Sequence, residues 1–239
     1  STDKSVWMQG RCGWTYAYLC KIYGVREDWL KFSKSCIDFL EEHCVNHDAE
    51  GRLYFTVEAD GTPLRQRRYC YSEAFYCIAN AEYYGVTGER EHLLRARRAY
   101  DMYWNLNHGM TDPTGMGPKS TRTGRALGIP MIILNVTGVM KRVDPEMKHV
   151  YDERAKAARK AKAWAAIQVA SNAGAAIAKG VASAVDVGFP AAIPAIATMT
   201  ATILAAIAQA KAMLSQMGGF ETGGVIGGYR GATMGRDNA

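Results

Sequence analysis

Arg65-Gln-Arg-Arg-Tyr-Cys-Tyr-Ser-Glu-Ala-Phe-Tyr-Cys77 runs a dense basic cluster straight into an aromatic segment. Ser72 and Glu73 read as the opening of a helix, with Phe75, Ile78, Ala79 and Tyr83 at helical spacing. Gly85 is placed to close it, because glycine takes the left-handed conformation of a C-terminal cap without a Cβ penalty. Three arginines, a carboxylate and four aromatic rings in one stretch form a polar-plus-stacking surface suited to a polyol.

Upstream, Trp7, Arg11, Trp14, Tyr18 and Ile22 share one helical stripe that ends at Gly24. A charged amphipathic helix follows, with Trp29, Phe32, Cys36, Phe39 and Leu40 on its apolar side, so the two form a helical hairpin joined at Tyr23-Gly24-Val25. The same tripeptide recurs at Tyr84-Gly85-Val86, again between an aromatic helix and a charged one, which marks an internal repeat. Between the copies, Leu53, Phe55 and Val57 alternate with polar residues ahead of Asp60-Gly61, the pattern of a short β-hairpin. A third hairpin is expected from an apolar helix over 130–140 and a partner over 147–158, with Pro145 at the first helical position. Three hairpins with apolar first helices and charged second helices predict a toroid of inner and outer helices, with Arg11 lining the lumen.

Composition divides the chain. Residues 1–154 carry 21 basic and 20 acidic side chains, whereas the last 85 carry 8 and 3. All six cysteines, Cys12, Cys20, Cys36, Cys44, Cys70 and Cys77, precede residue 110 without a CxxC pair or a secretory signal, which favours reduced, buried thiols and a cytoplasmic setting. The start at Ser1-Thr2-Asp3, without an initiator methionine, reads as trimmed or partial.

Trp7-Met-Gln-Gly-Arg11-Cys-Gly-Trp14, Gln66-Arg-Arg68-Tyr-Cys-Tyr-Ser72-Glu73-Ala-Phe-Tyr76 and Arg125-Ala-Leu-Gly-Ile-Pro130-Met131-Ile-Ile-Leu-Asn135 together resemble the N-acylglucosamine 2-epimerase family, in the same order and similar spacing, over about residues 4–157. The resemblance implies an all-α (α/α)6 barrel acting on N-acetylglucosamine and N-acetylmannosamine or on an aldose. It also implies a mechanism that opens the ring, removes the C2 proton with one histidine and returns a proton to the other face with a second, chemistry that suits side chains titrating near the operating pH. By position it makes Arg11, Arg68 and Glu73 sugar-pocket residues, with Trp14 and Tyr76 beside them as packing platforms, two rings whose ordinary place is the core. Three hairpins out of six are present, and the later hairpins that hold the family's catalytic histidines have no counterpart. His43, His47, His92, His108 and His149 read as solvated, so no residue is assigned to catalysis and no metal or cofactor site is expected. Arg65, Arg67 and the run Arg95-Ala-Arg97-Arg98 read as solvated faces, with no nucleic-acid partner.

From about residue 156 alanine, isoleucine, valine and threonine dominate. Trp164, Ile167, Ser171, Gly174, Ala178 and Val181 give a helical face of small residues that suits close helix packing. Residues 187–210 lack charge over a length sufficient to span a bilayer, but Pro190, Pro194 and many alanines favour a self-associating or partner-bound helix over a membrane span. Gly218 to Gly231 carries glycine pairs every few residues and is expected to be a flexible tail. With an alanine-rich helix, a Phe189-Pro190-x-x-Ile193-Pro194-x-Ile196 turn, a second Ala/Ile helix and then Phe220-x-x-Gly223-Gly-x-Ile226-Gly-Gly228, residues 156–228 are similar to the C-terminal region of phage tail tape-measure proteins, which implies a structural role and a virion or membrane-associated alternative location. The expected organisation is a half-barrel over 1–155, an alanine-rich helical hairpin over 156–217 with membrane or tail-protein contact through 163–214, and a tail over 218–239. A half-barrel also leaves inner surface exposed, so self-association is expected.

Overall fold

The computed structural model describes residues 2–116, 127–186 and 193–216. The chain is mostly helical: α1 (Val6–Tyr23), α2 (Glu27–His43), α3 (Tyr71–Thr87), α4 (Arg90–Leu106), α5 (Gly128–Val143), α6 (Lys148–Asp186) and α7 (Ile193–Gln216). Its strands are short: β1 (Lys4–Ser5), β2 (Val45–Asn46), β3 (Arg52–Leu53), β4 (Thr56–Val57) and β5 (Pro63–Arg65). Of the described residues, 2–116 and 132–155 form one compact unit, and 127–131, 156–186 and 193–216 another.

In the first unit α1 packs on both α2 and α3, and α3 on α4. Ala17, Ile37, Ala79 and Tyr83 form the shared core of the first three helices, with Trp14 and Leu30 against it. Glycine sets the spacing between α1 and α3: a Cβ on Gly10 would stand 2.9 Å from the backbone carbon and oxygen of Phe75. Ser33 on α2 donates a buried hydrogen bond to the Gly13 carbonyl at 2.7 Å. The later hairpin docks by the same logic, with Tyr100 on α4 bonded to Thr137 on α5 at 2.8 Å and the Cys77 thiol 3.6 Å from Met140 Sδ.

The anticipated β-hairpin is β4–β5, turned at Asp60-Gly61, where Gly61 has φ of 96° and Asp60 Oδ1 accepts from the Thr62 amide at 2.9 Å. β1 adds to it, giving the order β1-β4-β5, while β2 and β3 form a separate pair.

The helix of the 65–77 stretch begins at Tyr71, next to the expected Ser72, whose hydroxyl accepts from the Trp7 indole at 3.0 Å. Three expectations need correction. That helix does not close at Gly85 but runs to Thr87 and ends at Gly88, whose φ is 74° and whose amide donates to the Tyr84 carbonyl at 2.8 Å. Gly85 instead admits Val143, whose Cγ1 would lie 3.0 Å from an added Cβ, and this packing offsets glycine's helical penalty of about 1 kcal/mol. His92 is not solvated: it is 2% exposed, with its ring on Tyr83 and Nδ1 2.8 Å from Asn80 Oδ1. Arg97 is not a solvated face either, because it binds Asp144 through two bonds of 2.7 and 2.6 Å and Glu146 at 2.8 Å, tying α4 to the α5–α6 joint.

α6 is a single 39-residue helix with no break at 155/156, so the charged partner of the third hairpin and the alanine-rich segment are one element. In the second unit Gly174 of α6 faces Ile203 of α7, whose Cγ2 would be 3.5 Å from an added Cβ. Among the described residues no helix is long and apolar enough to cross a membrane. Arg125, the Pro190 turn, part of the uncharged run over 187–210 and the tail over 218–239 lie outside the described residues.

Candidate functional site

The stripe read from α1 is present and organises the site. Trp14 and Tyr18, one helical turn apart, stack with centroids 5.0 Å apart and planes at 17°. One turn further, Lys21 Nζ lies 5.9 Å from the Tyr18 centroid and donates to Glu82 Oε1 at 3.0 Å. Glu82 comes from α3 on the stripe Phe75, Ile78, Glu82, and its other oxygen accepts from Arg142 Nη2 of α5 at 3.0 Å. The carboxylate is fully buried, while the Lys21 and Arg142 side chains keep 37% and 44% of their exposure. It therefore clamps one cation on each side and presents both at the surface.

Between these helices lies a recess of about 300 Å³ lined by Trp14, Tyr18, Lys21, Asn135, Val139 and Arg142. It has a stacked aromatic wall, an amide able to donate and accept, and two cationic donors, with no carboxylate in its lining. Such a surface holds the C–H face of a small polar ligand on the rings and its oxygens on the donors. A larger recess of about 420 Å³ runs along α2, but its lining comes from that helix alone and its charges meet each other, as in the 2.8 Å pair Lys34–Asp38.

The five residues singled out in the sequence do not converge. Arg11 and Trp14 share the α1 face; Trp14 lines the recess, and Arg11 is exposed, with its guanidinium 4.4 Å from the Phe75 centroid. Arg68 is exposed between β5 and α3 and has no ion pair or hydrogen bond among the described residues. Glu73 is fully buried, accepting from Arg52 Nε at 2.6 Å and from the Leu53 amide at 2.9 Å. Tyr76 is 1% exposed and its hydroxyl donates to Glu41 of α2.

Arg52 is the centre of a second cluster. Itself fully buried, it pairs with Glu73 and with Asp112 of the loop after α4, and Nη2 donates to the Arg67 carbonyl at 3.1 Å. Burial raises the Asp112 carboxyl, but bonds from Arg52 and Thr114 outweigh it and hold the group below its ordinary range. Asp144 follows the same balance, with burial opposed by Arg97 and Tyr151. Burial, aided by Arg95, depresses His92, and none of the five histidines lines the recess. Burial raises the thiols of Cys36 to about 11 and of Cys44 and Cys70 to about 12, that of Cys77 is raised as well, and all six cysteines are unpaired. Among the described residues no cluster of three or more histidine, cysteine, aspartate and glutamate side chains is placed to hold a metal ion.

Sequence reasoning named Trp14 and Tyr18 and quoted Asn135, but missed Lys21, Glu82 and Arg142. A signal for two of them was available: Lys21 continues the stripe at seven residues from Trp14, and Glu82 sits seven from Phe75, the two-turn spacing of one helix face.

The family model described as N-acylglucosamine 2-epimerase matches residues 1–177. The N-acylglucosamine 2-epimerase of Rattus norvegicus is 30% identical over 159 residues, covering 63% of this chain and 36% of that protein. A cellobiose 2-epimerase of Ruminococcus albus is 26% identical over 99 residues, covering 41% of this chain and 25% of that one. Among solved structures, cellobiose 2-epimerase from Bacillus thermoamylovorans matches with a TM-score of 0.57 at 19% identity, over 64% of this chain and 42% of that one. A sugar epimerase from a ruminal bacterium matches with a TM-score of 0.56 at 19% identity, over 65% and 42%. These structures are α/α toroids, and the hairpins seen here form part of such a fold. The chain spans about a third of the length of the mammalian relative, 36%.

Proposed function

Since this chain belongs to the N-acylglucosamine 2-epimerase family, we propose that its first 155 residues are a sugar-binding portion of a 2-epimerase-type toroid and that the recess on α1 and α5 receives the sugar. The observation that carries this reading is the Trp14–Tyr18 stack standing beside Asn135 and the Lys21–Glu82–Arg142 clamp. Aromatic faces take the apolar side of a pyranose, and the amide and cationic donors take its oxygens. The ligand class is N-acetylglucosamine, N-acetylmannosamine or an aldose. Trp14 is the wall of the recess and Arg11 lies on the same helical face nearer the N-terminus. Arg68, exposed ahead of α3, is a further polar group of this portion outside the recess lining, whereas Glu73 and Tyr76 act on Arg52 and Glu41 in the interior.

Moving the C2 proton takes two bases on opposite faces of an opened sugar. The histidines that the family resemblance assigns to this work have no counterpart at the recess, so this chain by itself binds the sugar without epimerising it. The test is NMR in deuterated buffer with N-acetylmannosamine and, separately, mannose. The expected result is ligand-dependent shifts of the Trp14 indole resonance with no deuterium at C2. Deuterium uptake with epimer formation would overturn the non-catalytic part, and an unperturbed Trp14 at millimolar sugar would overturn the binding part.

A second reading draws on α6 and α7. A 39-residue helix and a 24-residue helix, both rich in alanine and meeting at Gly174, suit a structural role like that of a tail tape-measure segment, with membrane or tail-protein contact through 163–214 and self-association of the chain. Deletion of 156–239 that abolishes self-association in sedimentation while leaving sugar binding intact would support this division of labour; unchanged sedimentation would exclude it.

A further inference from the structure

The charges of the recess are unequal. Its lining includes Lys21 and Arg142 and no carboxylate. Their counter-ion, Glu82, is fully buried and spends one oxygen on each cation, so it is withdrawn from a ligand's reach. Lys21 uses one of its three N–H donors, on Glu82. Arg142 uses two of its five, on Glu82 and on the Gly138 carbonyl at 3.2 Å. Among the described residues the remaining donors of both side chains have no hydrogen-bond partner. Both side chains are about two-fifths exposed, and Glu82 holds both from behind, so the geometry is set before a ligand arrives.

We propose that this recess takes an anionic sugar, a hexose carrying one carboxylate or phosphate, in preference to a neutral one. The inference rests on the recess being a sugar site, as argued above. The pyranose lies on the Trp14–Tyr18 wall with Asn135 on its hydroxyls. Its anionic group reaches Lys21, whose ammonium stands 5.9 Å from the Tyr18 centroid, and Arg142 on the facing helix. Charge-assisted bonds are stronger than neutral ones, and the net positive charge of the clamp adds a long-range term that salt weakens. One such bond in a half-exposed setting corresponds to about a tenfold gain in affinity.

The test is titration of the full chain with glucuronate, glucose and inorganic phosphate, read by calorimetry and by the NMR resonance of the Trp14 indole, at low and high sodium chloride. Glucuronate is expected to bind about tenfold tighter than glucose, and to lose most of that advantage at high salt. Arg142→Gln is expected to bring the two sugars to parity, and Lys21→Arg to preserve the preference. Circular dichroism establishes that each variant is folded, and the salt dependence of the unmodified chain tests the idea without any variant. Equal affinity for glucuronate and glucose would overturn this inference and leave the sugar site standing. Phosphate binding as tightly as glucuronate would overturn it by showing an anion site that ignores the ring. Failure of both sugars to bind would remove the sugar-site reading on which it rests.

Discussion

Glu73 offers the sharpest test, because the family resemblance makes it a sugar ligand and its surroundings make it a keystone. Both Glu73 and Arg52 are fully buried, joined at 2.6 Å, and the same carboxylate oxygen also receives the Leu53 amide at 2.9 Å. Glu73→Ala strands a guanidinium and a backbone N–H in the interior. Breaking a buried pair by removing one partner costs about 3–5 kcal/mol, and an unpaired buried amide about 1–3. Asp112 and the Arg67 carbonyl still hold Arg52, so the expected loss lies near 4 kcal/mol, a large part of the roughly 5–15 kcal/mol that stabilises a domain. For a chain of this size that is a drop in Tm of about 8–16 °C. Urea unfolding followed by circular dichroism measures it, and removing both partners in Arg52→Met with Glu73→Met should cost less than the sum of the two single changes. If Glu73→Ala unfolds within about 1 kcal/mol of the parent while sugar binding disappears, the keystone argument is wrong and Glu73 acts on the ligand.

Other outcomes follow from the same geometry. Gly10→Ala should destabilise by about 2–3 kcal/mol in the same urea experiment, since its Cβ would meet the Phe75 backbone at 2.9 Å and neither helix can yield without moving the core. His92 is depressed below its unfolded pKa, so it contributes stability that is present above about pH 6.5 and lost as pH falls through that value toward the folded pKa; His92→Gln should flatten this part of the stability–pH curve. Asp112 and Asp144 are also depressed, so their contribution is present above about pH 4 and lost at lower pH, and Asp144→Asn should remove part of that acid limb. Short alkylation at pH 8 read by mass spectrometry should label the half-buried Cys12 first, while Cys36, whose thiol burial pushes up to about 11, and the buried Cys20, Cys44, Cys70 and Cys77 react on unfolding.

Legibility from the sequence followed the kind of interaction. The hairpins were readable because apolar spacing fixes which face of a helix is buried, and Trp7, Trp14 and Tyr18 announce that face in α1. The hairpin at Asp60-Gly61 was readable because turn chemistry is local. Gly85 was misread because the same tripeptide that ends α1 at Gly24 meets a tertiary neighbour, Val143, in its second copy, and that contact carries the helix on to Gly88. His92 and Arg97 looked solvated because their partners Asn80, Asp144 and Glu146 are 12 to 49 residues away and no local pattern points to them. The clamp of Lys21, Glu82 and Arg142 was hidden in the same way, since each charge alone resembles an ordinary helical surface residue.

The bonds between successive first helices have a common span. Trp7 reaches Ser72 across 65 residues, Lys21 reaches Glu82 across 61, Cys77 reaches Met140 across 63 and Glu82 reaches Arg142 across 60. Each hairpin is therefore fastened to the next one along the chain, and the span matches the spacing of the two Tyr-Gly-Val joints. Assembly of such a structure is vectorial: a hairpin emerging from the ribosome finds its docking surface already synthesised, and loop-closure entropy is met once per hairpin in similar instalments. The order of acquisition expected from these spans is α1 with α2, followed by α3 with α4, followed by α5, and pulse-labelled hydrogen exchange during refolding that protects α5 first would refute it. Glu82, bonded both backward to Lys21 and forward to Arg142, is the joint through which the second step prepares the third.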